Sequence, residues 1–377
     1  MDLYDELPEP PRAPGEEVRR YGQRGTQCMW RMCPAQARLV FAERPAVSPS
    51  DSGPPDNNPS TKRKAETTDS DSSEEQHQEK KVCKGFHRIL SLKAHVAERR
   101  GEREELQDAH TICDLSQDCQ PMPPDLLRLS YFAVFDGHGG TRASRFAAQN
   151  LHQNFVKKIP RGEGSSVDKA MKRCILDAFK QTDEDFLKQA ASQKPAWKDG
   201  TTAICVLVAD NILYIANLGD SRALLCRINK ENQKHVVLSL SREHNPTQYE
   251  ERMRIQKAGG NVSRDGRVLG VLEVSRSIGD GQYKRYGVIS TPEVKRCPLT
   301  DSDRFILLAC DGLFKAFSAE EAVTFILTHT QEKSSPAEDG PPDFDSLYES
   351  ACHRLANEAV RRGAADNVTV LIVQIQH

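Results

Sequence analysis

Residues 130–140 read Ser130-Tyr-Phe-Ala-Val-Phe-Asp-Gly-His-Gly-Gly140, and the apolar run in this stretch stops at Asp136. A short apolar run bounded by glycine is typical of a strand that is buried on both faces. A carboxylate at the end of such a strand is costly to desolvate unless a cation or hydrogen bonds meet it. Gly137 lets the backbone approach a bound ion closely, and His138 adds a titratable imidazole. The stretch therefore predicts a site at the end of a buried strand.

Two further aspartates lie at the tips of apolar strands. Asp311 ends the run at 305–310, and Asp366 precedes the run at 368–373. Because the end of one antiparallel strand lies beside the start of its neighbour, we expect Asp136, Asp311 and Asp366 to converge at a single sheet edge. Each aspartate alone is more typical of a turn or a cap. Together, three carboxylates without a buried cationic partner nearby in sequence favour Mg²⁺ or Mn²⁺, which prefer oxygen ligands, over zinc.

The composition excludes several classes of protein. The chain has 377 residues, of which 28% are charged and 37% hydrophobic, and its net charge of −2 gives no argument for nucleic-acid binding. No apolar run approaches the roughly 18 residues of a membrane span. The acidic N-terminus lacks the apolar core of a signal peptide. The 11 scattered cysteines are typical of reduced thiols, so we expect an intracellular monomer in the cytoplasm and nucleus.

Two regions of different composition divide the chain. Residues 1–92 are rich in Pro, Ser, Asp and Glu, which predicts a disordered tail. Apolar residues interrupt this tail at 28–33 and 39–42, either as a sticky patch or as a short partner-binding motif. Residues 93–377 are expected to form the folded domain.

Strands and helices arrive in blocks along this domain, which favours an α+β fold with antiparallel sheets covered by helices. The turn Leu218-Gly-Asp-Ser221 predicts a β-hairpin that leads into the strand at 222–226. A helix is expected at 246–257, with Asn245 as its N-cap and Pro246 in its first turn.

A series of short motifs runs in order through the domain. These are Gly101-Glu-Arg-Glu-Glu-Leu-Gln-Asp-Ala-His110, Phe135-Asp-Gly-His-Gly-Gly140, Gly200-Thr-Thr-Ala203, Leu218-Gly-Asp-Ser-Arg222, Glu243-His-Asn-Pro246, Ala258-Gly-Gly260, Val274-Ser-Arg-Ser-Ile-Gly-Asp280, Ala309-Cys-Asp-Gly-Leu313 and Ala365-Asp-Asn-Val368. In this order they resemble the metal-dependent protein serine/threonine phosphatases of type 2C. The resemblance implies a sandwich of two antiparallel sheets flanked by helices, with a metal centre at one end.

The resemblance also implies the ligands of two Mg²⁺ or Mn²⁺ ions. Asp136 would bridge the ions, the backbone carbonyl of Gly137 would help to hold one, and Asp311 with Asp366 would hold the other. Asp108 would act on the ions through bound water.

Two catalytic roles follow from the same resemblance. Arg103 would bind the phosphate of a phosphoprotein substrate, because a guanidinium offers a fork of donors to phosphate oxygens. His138 would protonate the leaving seryl or threonyl oxygen after attack by a hydroxide that the two ions activate.

Two positions depart from the pattern of this family. Gln107 stands where an acidic residue is common, although its amide can still hydrogen-bond a metal-bound water. Lys315 stands where many relatives have an aspartate that supports a third, weaker ion together with the counterpart of Asp220. A cation there repels another cation, so we expect the third ion to be weak or absent, or held by Asp220 and Asp311 alone.

An alternative reading is a catalytically weak or inactive adaptor that binds a kinase through the same fold. Further stretches, among them Thr141-Arg-Ala-Ser144 and Lys194-Pro-Ala-Trp-Lys-Asp-Gly200, resemble a branch of the family that associates with integrin-linked kinase. The resemblance thus implies that kinase as a partner under either reading.

Two basic clusters in the tail resemble a bipartite nuclear import signal. They are Lys62-Arg-Lys64 and Lys80-Lys81 with Lys84, and a spacer rich in Ser and Glu separates them. Exposed cations at this spacing fit two acidic grooves of a nuclear import carrier. A solvated run of charges explains the same pattern.

If the clusters form an import signal, replacing all six of these basic residues with glutamine will confine the protein to the cytoplasm, because the carrier loses its cationic anchors. Fluorescence microscopy of the tagged protein measures the nuclear fraction. Replacing Arg19 and Arg20 instead is the control for lost charge. Unchanged nuclear content in the six-residue variant would contradict the prediction.

Overall fold

The computed structural model describes residues 90–118, 126–159, 167–331 and 344–376. All of them belong to the unit Val82–His377. The predicted tail lies outside these residues apart from its last three, and so do its apolar patches and the proposed import signal. Among the described helices, none combines the length and the apolar character that a membrane crossing requires.

One five-stranded antiparallel sheet contains both the strand before Asp311 and the strand after Asp366. In spatial order its strands are β1 (Ser91–Arg99), β13 (Val368–Gln376), β12 (Asp303–Ala309), β8 (Arg222–Ile228) and β9 (His235–Ser239). Ala309 of β12 pairs with Val370 of β13. The end of β12 therefore lies beside the start of β13, as expected from antiparallel pairing.

The second five-stranded sheet contains the strand before Asp136 and is also antiparallel. In spatial order its strands are β11 (Glu293–Pro298), β7 (Ile212–Leu218), β6 (Ala203–Ala209), β3 (Leu129–Phe135) and β2 (Ala109–Asp114). A smaller sheet of two-residue strands consists of β10 (Ile278–Gly279), β5 (Gly200–Thr201) and β4 (Gly137–His138).

Strand β3 is buried along its whole length because it packs in two directions. Tyr131, Ala133 and Phe135 lie in the core beneath the helices, whereas Phe132 and Val134 lie in the core between the two sheets. This alternation explains why the apolar run at the start of the motif has no polar break. The predicted burial of β3 on both faces is confirmed.

Helices cover the outer faces of the two large sheets. They are α1 (Arg142–Lys158) and α2 (Val167–Ala191) on the second sheet, and α5 (Asp311–Ala316), α6 (Ala319–Gln331) and α7 (Phe344–Arg361) on the first. The short helices α3 (Tyr249–Lys257) and α4 (Gly281–Lys284) adjoin a separate small apolar cluster. The layers run helix, sheet, sheet, helix, so the expected α+β sandwich is confirmed.

The predicted hairpin at 218–221 is wrong. Leu218 of β7 pairs with Ala203 in the second sheet, whereas Arg222 of β8 pairs with Ala309 in the first. The turn therefore carries the chain from one sheet to the other. Apolar patterning on both sides of a turn is the same for a hairpin and for a crossover, so the sequence did not separate the two.

The predicted helix at 246–257 begins later than expected. Its N-cap is Gln248, in extended conformation, and not Asn245. The backbone N–H of Gln248 donates to the carbonyl of Asn245 at 3.0 Å. A separate turn around Pro246 therefore precedes the helix. The sequence predicted an earlier start because a turn that contains Pro matches the same signals as the start of a helix.

Replacing Leu371 with alanine will lower the free energy of unfolding by about 2–5 kcal/mol, because the residue is fully buried between the two sheets. Urea denaturation measures the loss. The matched control is Leu127→Ala, since Leu127 is 74% exposed. Equal losses in the two variants would contradict the position of the core.

Candidate metal centre

Three aspartates from different parts of the chain meet at one end of the sandwich. Asp136 follows β3, Asp220 lies in the crossover turn, and Asp311 begins α5. One carboxylate oxygen of each lies within 4.8 Å of the others. The predicted convergence at a single sheet edge is wrong in this respect: β3 and β12 belong to different sheets, so Asp136 and Asp311 approach each other from facing sheets.

Burial and mutual repulsion raise the pKa values of these carboxyl groups. Burial is the main cause that holds the pKa of Asp136 well above its usual value, and the charges of Asp108 and Asp311 add to it. Burial also raises the pKa of Asp220 to about 7. The pKa of Asp311 is raised by burial, with Lys315 offsetting part of the effect. A divalent cation would displace the protons that such groups retain.

Asp108 lies behind Asp136 and is 6% exposed. Its Oδ2 accepts a hydrogen bond from the Thr369 hydroxyl at 2.7 Å, but its Oδ1 has no hydrogen-bond partner in the part of the chain that is described. Burial raises its pKa to about 7. A buried acceptor without a donor fits a role near a cation or its bound water.

The thiol of Cys310 also lies within 4.8 Å of the carboxylates of Asp108 and Asp136. It donates to the Asn367 carbonyl at 3.3 Å and accepts from the Thr369 N–H at 3.1 Å. Burial holds the pKa of this thiol well above its usual value. A protonated, hydrogen-bonded thiol is a poor metal ligand, so the available donors are the carboxylate oxygens that Mg²⁺ and Mn²⁺ prefer.

Two threonines fix the backbone of Asp136. Its carbonyl accepts from the Thr202 N–H at 2.9 Å and from the Thr201 hydroxyl at 3.0 Å. Its N–H donates to the Thr202 hydroxyl at 3.3 Å, and that hydroxyl also bonds Ser221, the neighbour of Asp220. Threonine is common in strands, so the sequence gives no sign that these two side chains hydrogen-bond Asp136.

Lys315 connects Asp366 to Asp311, one of the three converging aspartates. The Lys315 ammonium lies 2.6 Å from Asp311 Oδ2 and 2.9 Å from Asp366 Oδ2. Arg103 donates to the same Asp366 oxygen at 3.0 Å. Burial raises the pKa of Asp366, but Lys315 and Arg103 outweigh it and bring the pKa below its usual value. Its role as a metal ligand stays a prediction.

The loop that carries Arg103 is tied to Asn367. The Asn367 amide donates to the carbonyls of Arg100 at 2.8 Å and Glu105 at 3.1 Å, and its oxygen accepts from the Gln107 N–H at 2.8 Å. The loop begins at Gly101 in the left-handed region, at φ +64°, where a Cβ would stand 2.2 Å from the Asp366 carbonyl oxygen. Only glycine fits there, so Arg103 and Asp366 are held together.

His138 bonds a buried carboxylate that the sequence did not single out. Its Nε2 donates to Asp280 Oδ2 at 2.7 Å, and Asp280 is 2% exposed. Burial lowers the pKa of His138, but the charge and the hydrogen bond of Asp280 outweigh it, so the pKa lies above its usual value. Asp280 lies between two glycines, which is typical of a turn. No pattern in the sequence indicates that this carboxylate is buried.

An open cavity of about 820 Å³ lies above these groups. Its floor includes Gly137, whose missing side chain leaves room for the Gln107 carbonyl, which would stand 2.1 Å from a Cβ. Its walls include Arg103, Lys198 and Arg267. The lining also includes Glu104, Glu105 and Glu273. Partly buried carboxylates with arginine and lysine side chains nearby suit a phosphate group that is bound together with hard cations.

Replacing Asp280 with asparagine will lower the pKa of His138, because a neutral amide no longer stabilises the imidazolium. A proton NMR titration of the His138 ring measures this pKa. The control is Asp265→Asn, the same change at an exposed carboxylate that lies 3.5 Å from the cavity residue Arg267. A pKa that stays unchanged or rises in Asp280→Asn would contradict the assigned contact.

Known proteins match this chain over most of its length. The family described as Protein phosphatase 2C matches residues 93–368. A Bos taurus integrin-linked kinase-associated serine/threonine phosphatase 2C is 60% identical over 385 residues, which cover 100% of both chains. The Homo sapiens protein of the same name is 59% identical over 406 residues, again with 100% of both covered. A probable protein phosphatase 2C of Oryza sativa is 38% identical and covers 77% of each chain.

Solved structures share the same architecture. A C. elegans sex determining protein has a TM-score of 0.62 at 26% identity, covering 75% of this chain and 64% of that chain. A serine-threonine phosphatase 2C from Toxoplasma gondii has a TM-score of 0.60 at 23% identity, and the match covers 76% of this chain and 95% of that chain. At this identity, the match supports a common fold and nothing more. The match of the family to residues 93–368 and the full-length relatives lead to one conclusion: this chain belongs to the protein phosphatase 2C family.

Proposed function

We propose that this chain is a Mg²⁺- or Mn²⁺-dependent phosphatase that hydrolyses phosphoserine and phosphothreonine in proteins. The observation that carries the proposal is the convergence of Asp136, Asp220 and Asp311 within 4.8 Å, beneath a cavity that reaches solvent. Membership of the family supports the same class of reaction. The choice of protein substrates and of serine and threonine comes from the relatives.

The carboxylates and one carbonyl are the proposed ligands. Asp136, Asp311, Asp366 and the Gly137 carbonyl would hold the ions, and Asp108 with Asp220 extends the donor set, since all of them are oxygen donors. Bound Mg²⁺ or Mn²⁺ supplies an activated water and neutralises charge on the phosphoryl oxygens.

Arg103 and His138 act on the substrate in this proposal. The Arg103 side chain is 60% exposed at the cavity wall, so its remaining N–H groups can donate to phosphate oxygens. His138 gives its proton to the leaving oxygen, and its contact with Asp280 favours the protonated imidazole that this step requires.

The names of the relatives suggest a partner. Two relatives that match over their full length carry integrin-linked kinase in their names, so we propose this kinase as a partner of the present chain. Action in both cytoplasm and nucleus is part of the same proposal, and it depends on the import signal in the tail.

A catalytically weak adaptor is the second candidate function. The observation that favours it is Lys315, whose ammonium bridges Asp311 and Asp366, two of the proposed ligands. An adaptor would bind the kinase through the same fold without needing a loaded metal centre.

Hydrolysis of a phosphoseryl peptide with Mn²⁺ separates the two functions. We expect turnover by the wild type with Mn²⁺, none with excess chelator, and none in Asp136→Asn, which removes a proposed ligand. His138→Gln should lose about 10²- to 10⁴-fold in rate, the usual contribution of a general acid.

The control for these variants is Asp301→Asn, the same chemical change at an exposed position of the β11–β12 connection. It should retain wild-type turnover. A folded wild type that binds Mn²⁺ but shows no turnover of peptide or aryl phosphate would contradict the phosphatase proposal and support the adaptor.

A further inference from the structure

Lys315 lies one helical turn after Asp311 in the short helix α5, at the spacing that puts two side chains on the same helix face. Its ammonium contacts Asp311 at 2.6 Å and Asp366 at 2.9 Å. The side chain is 48% exposed, against 19% for Asp311 and 23% for Asp366. The contacts therefore join a partly solvated, flexible chain to two less accessible carboxylates.

The acidic groups of the centre fall into two sets with different compensation. Asp311 and Asp366 share the ammonium of Lys315, and Asp366 also pairs with Arg103. In contrast, Asp108, Asp136 and Asp220 form no ion pair with a lysine or arginine within the described part of the chain. The lysine ammonium is thus in direct contact with Asp311 and Asp366 but with none of the other three.

We propose that Lys315 is a resident cation that competes with a divalent ion for Asp311 and Asp366. The inference rests on the proposed function, since it assumes that the centre binds Mg²⁺ or Mn²⁺. It goes further than the expected loss of a third ion, because the two carboxylates that Lys315 joins are those assigned to one of the two principal ions.

The competition follows from charge and from reach. An ammonium and a divalent ion cannot both lie within contact distance of the same carboxylate oxygen without strong repulsion. A lysine has a long flexible stem and a compact charge, so it can leave the pair when an ion binds. A divalent ion that binds Asp311 and Asp366 must therefore displace Lys315. An ion that binds Asp136 and Asp220 displaces no such ion pair.

Lys315 also stabilises the protein without metal. It separates two carboxylates that would otherwise repel each other at the junction of α5 and β13. Removing its charge should therefore have opposite effects on the metal-free and the metal-bound protein, and a residue with a merely structural role would not show this.

The test compares Lys315→Met with the wild-type full chain. Methionine keeps much of the length of the side chain and removes the charge. Isothermal titration with Mn²⁺ alone should show tighter binding by about tenfold, or about 1.4 kcal/mol. Thermal unfolding in excess chelator should occur at a lower temperature than for wild type, and the rise on adding Mn²⁺ should be larger.

Two further variants keep the test decisive. Lys315→Gln also removes the charge, so it takes the place of Lys315→Met in the test if that variant does not fold. Lys315→Arg keeps the charge and should bind Mn²⁺ like the wild type. The matched control is Lys257→Met, at an exposed lysine at the end of α3, which should change neither quantity.

Mn²⁺ affinity that is unchanged or weaker in folded Lys315→Met and Lys315→Gln would overturn the inference while the wild type still binds Mn²⁺ and hydrolyses the peptide. A wild type that binds no Mn²⁺ would overturn the proposed function as well. Tighter binding in both neutral variants and wild-type affinity in Lys315→Arg is the expected result.

Discussion

Carboxylates that are brought together away from water repel one another, and the site at the end of this sandwich is built around that repulsion. Burial raises the pKa values of Asp108, Asp136 and Asp220. A fold would not hold these groups side by side unless something compensated their charge. In the proposed function, hard cations do so for the groups without a basic neighbour, whereas Lys315 contacts Asp311 and Asp366.

The two large sheets create this arrangement because they deliver their aspartates from opposite sides. Strand β3 carries Asp136 in from one sheet, whereas β12 and β13 bring Asp311 and Asp366 side by side from the other. The apolar core between the sheets fixes the distance between them. Hydrogen bonds from Thr201, Thr202 and Asn367 then set the backbone around the site. The rigid core and these hydrogen bonds together fix the positions of the aspartates.

Much of this could be predicted from local sequence. An unbroken apolar run indicates a strand buried on both faces, and a carboxylate directly after the run indicates the end of that strand. These patterns predicted β3 with Asp136 and β12 with Asp311. Which sheet a strand joins depends on long-range pairing, and for that reason the crossover at 218–221 resembled a hairpin. The buried partner of His138 was missed because Asp280 between two glycines has the sequence of a turn. Lys315 was recognised as unusual, but its bridge to Asp366 depends on a contact between residues 51 positions apart.

Anomalous X-ray diffraction from crystals grown with Mn²⁺ would show whether these aspartates hold hard cations. We expect anomalous density within bonding distance of the carboxylate oxygens of Asp136 and Asp311. Density that lies elsewhere, or full occupancy by Mn²⁺ with Asp136 left uncoordinated, would contradict it.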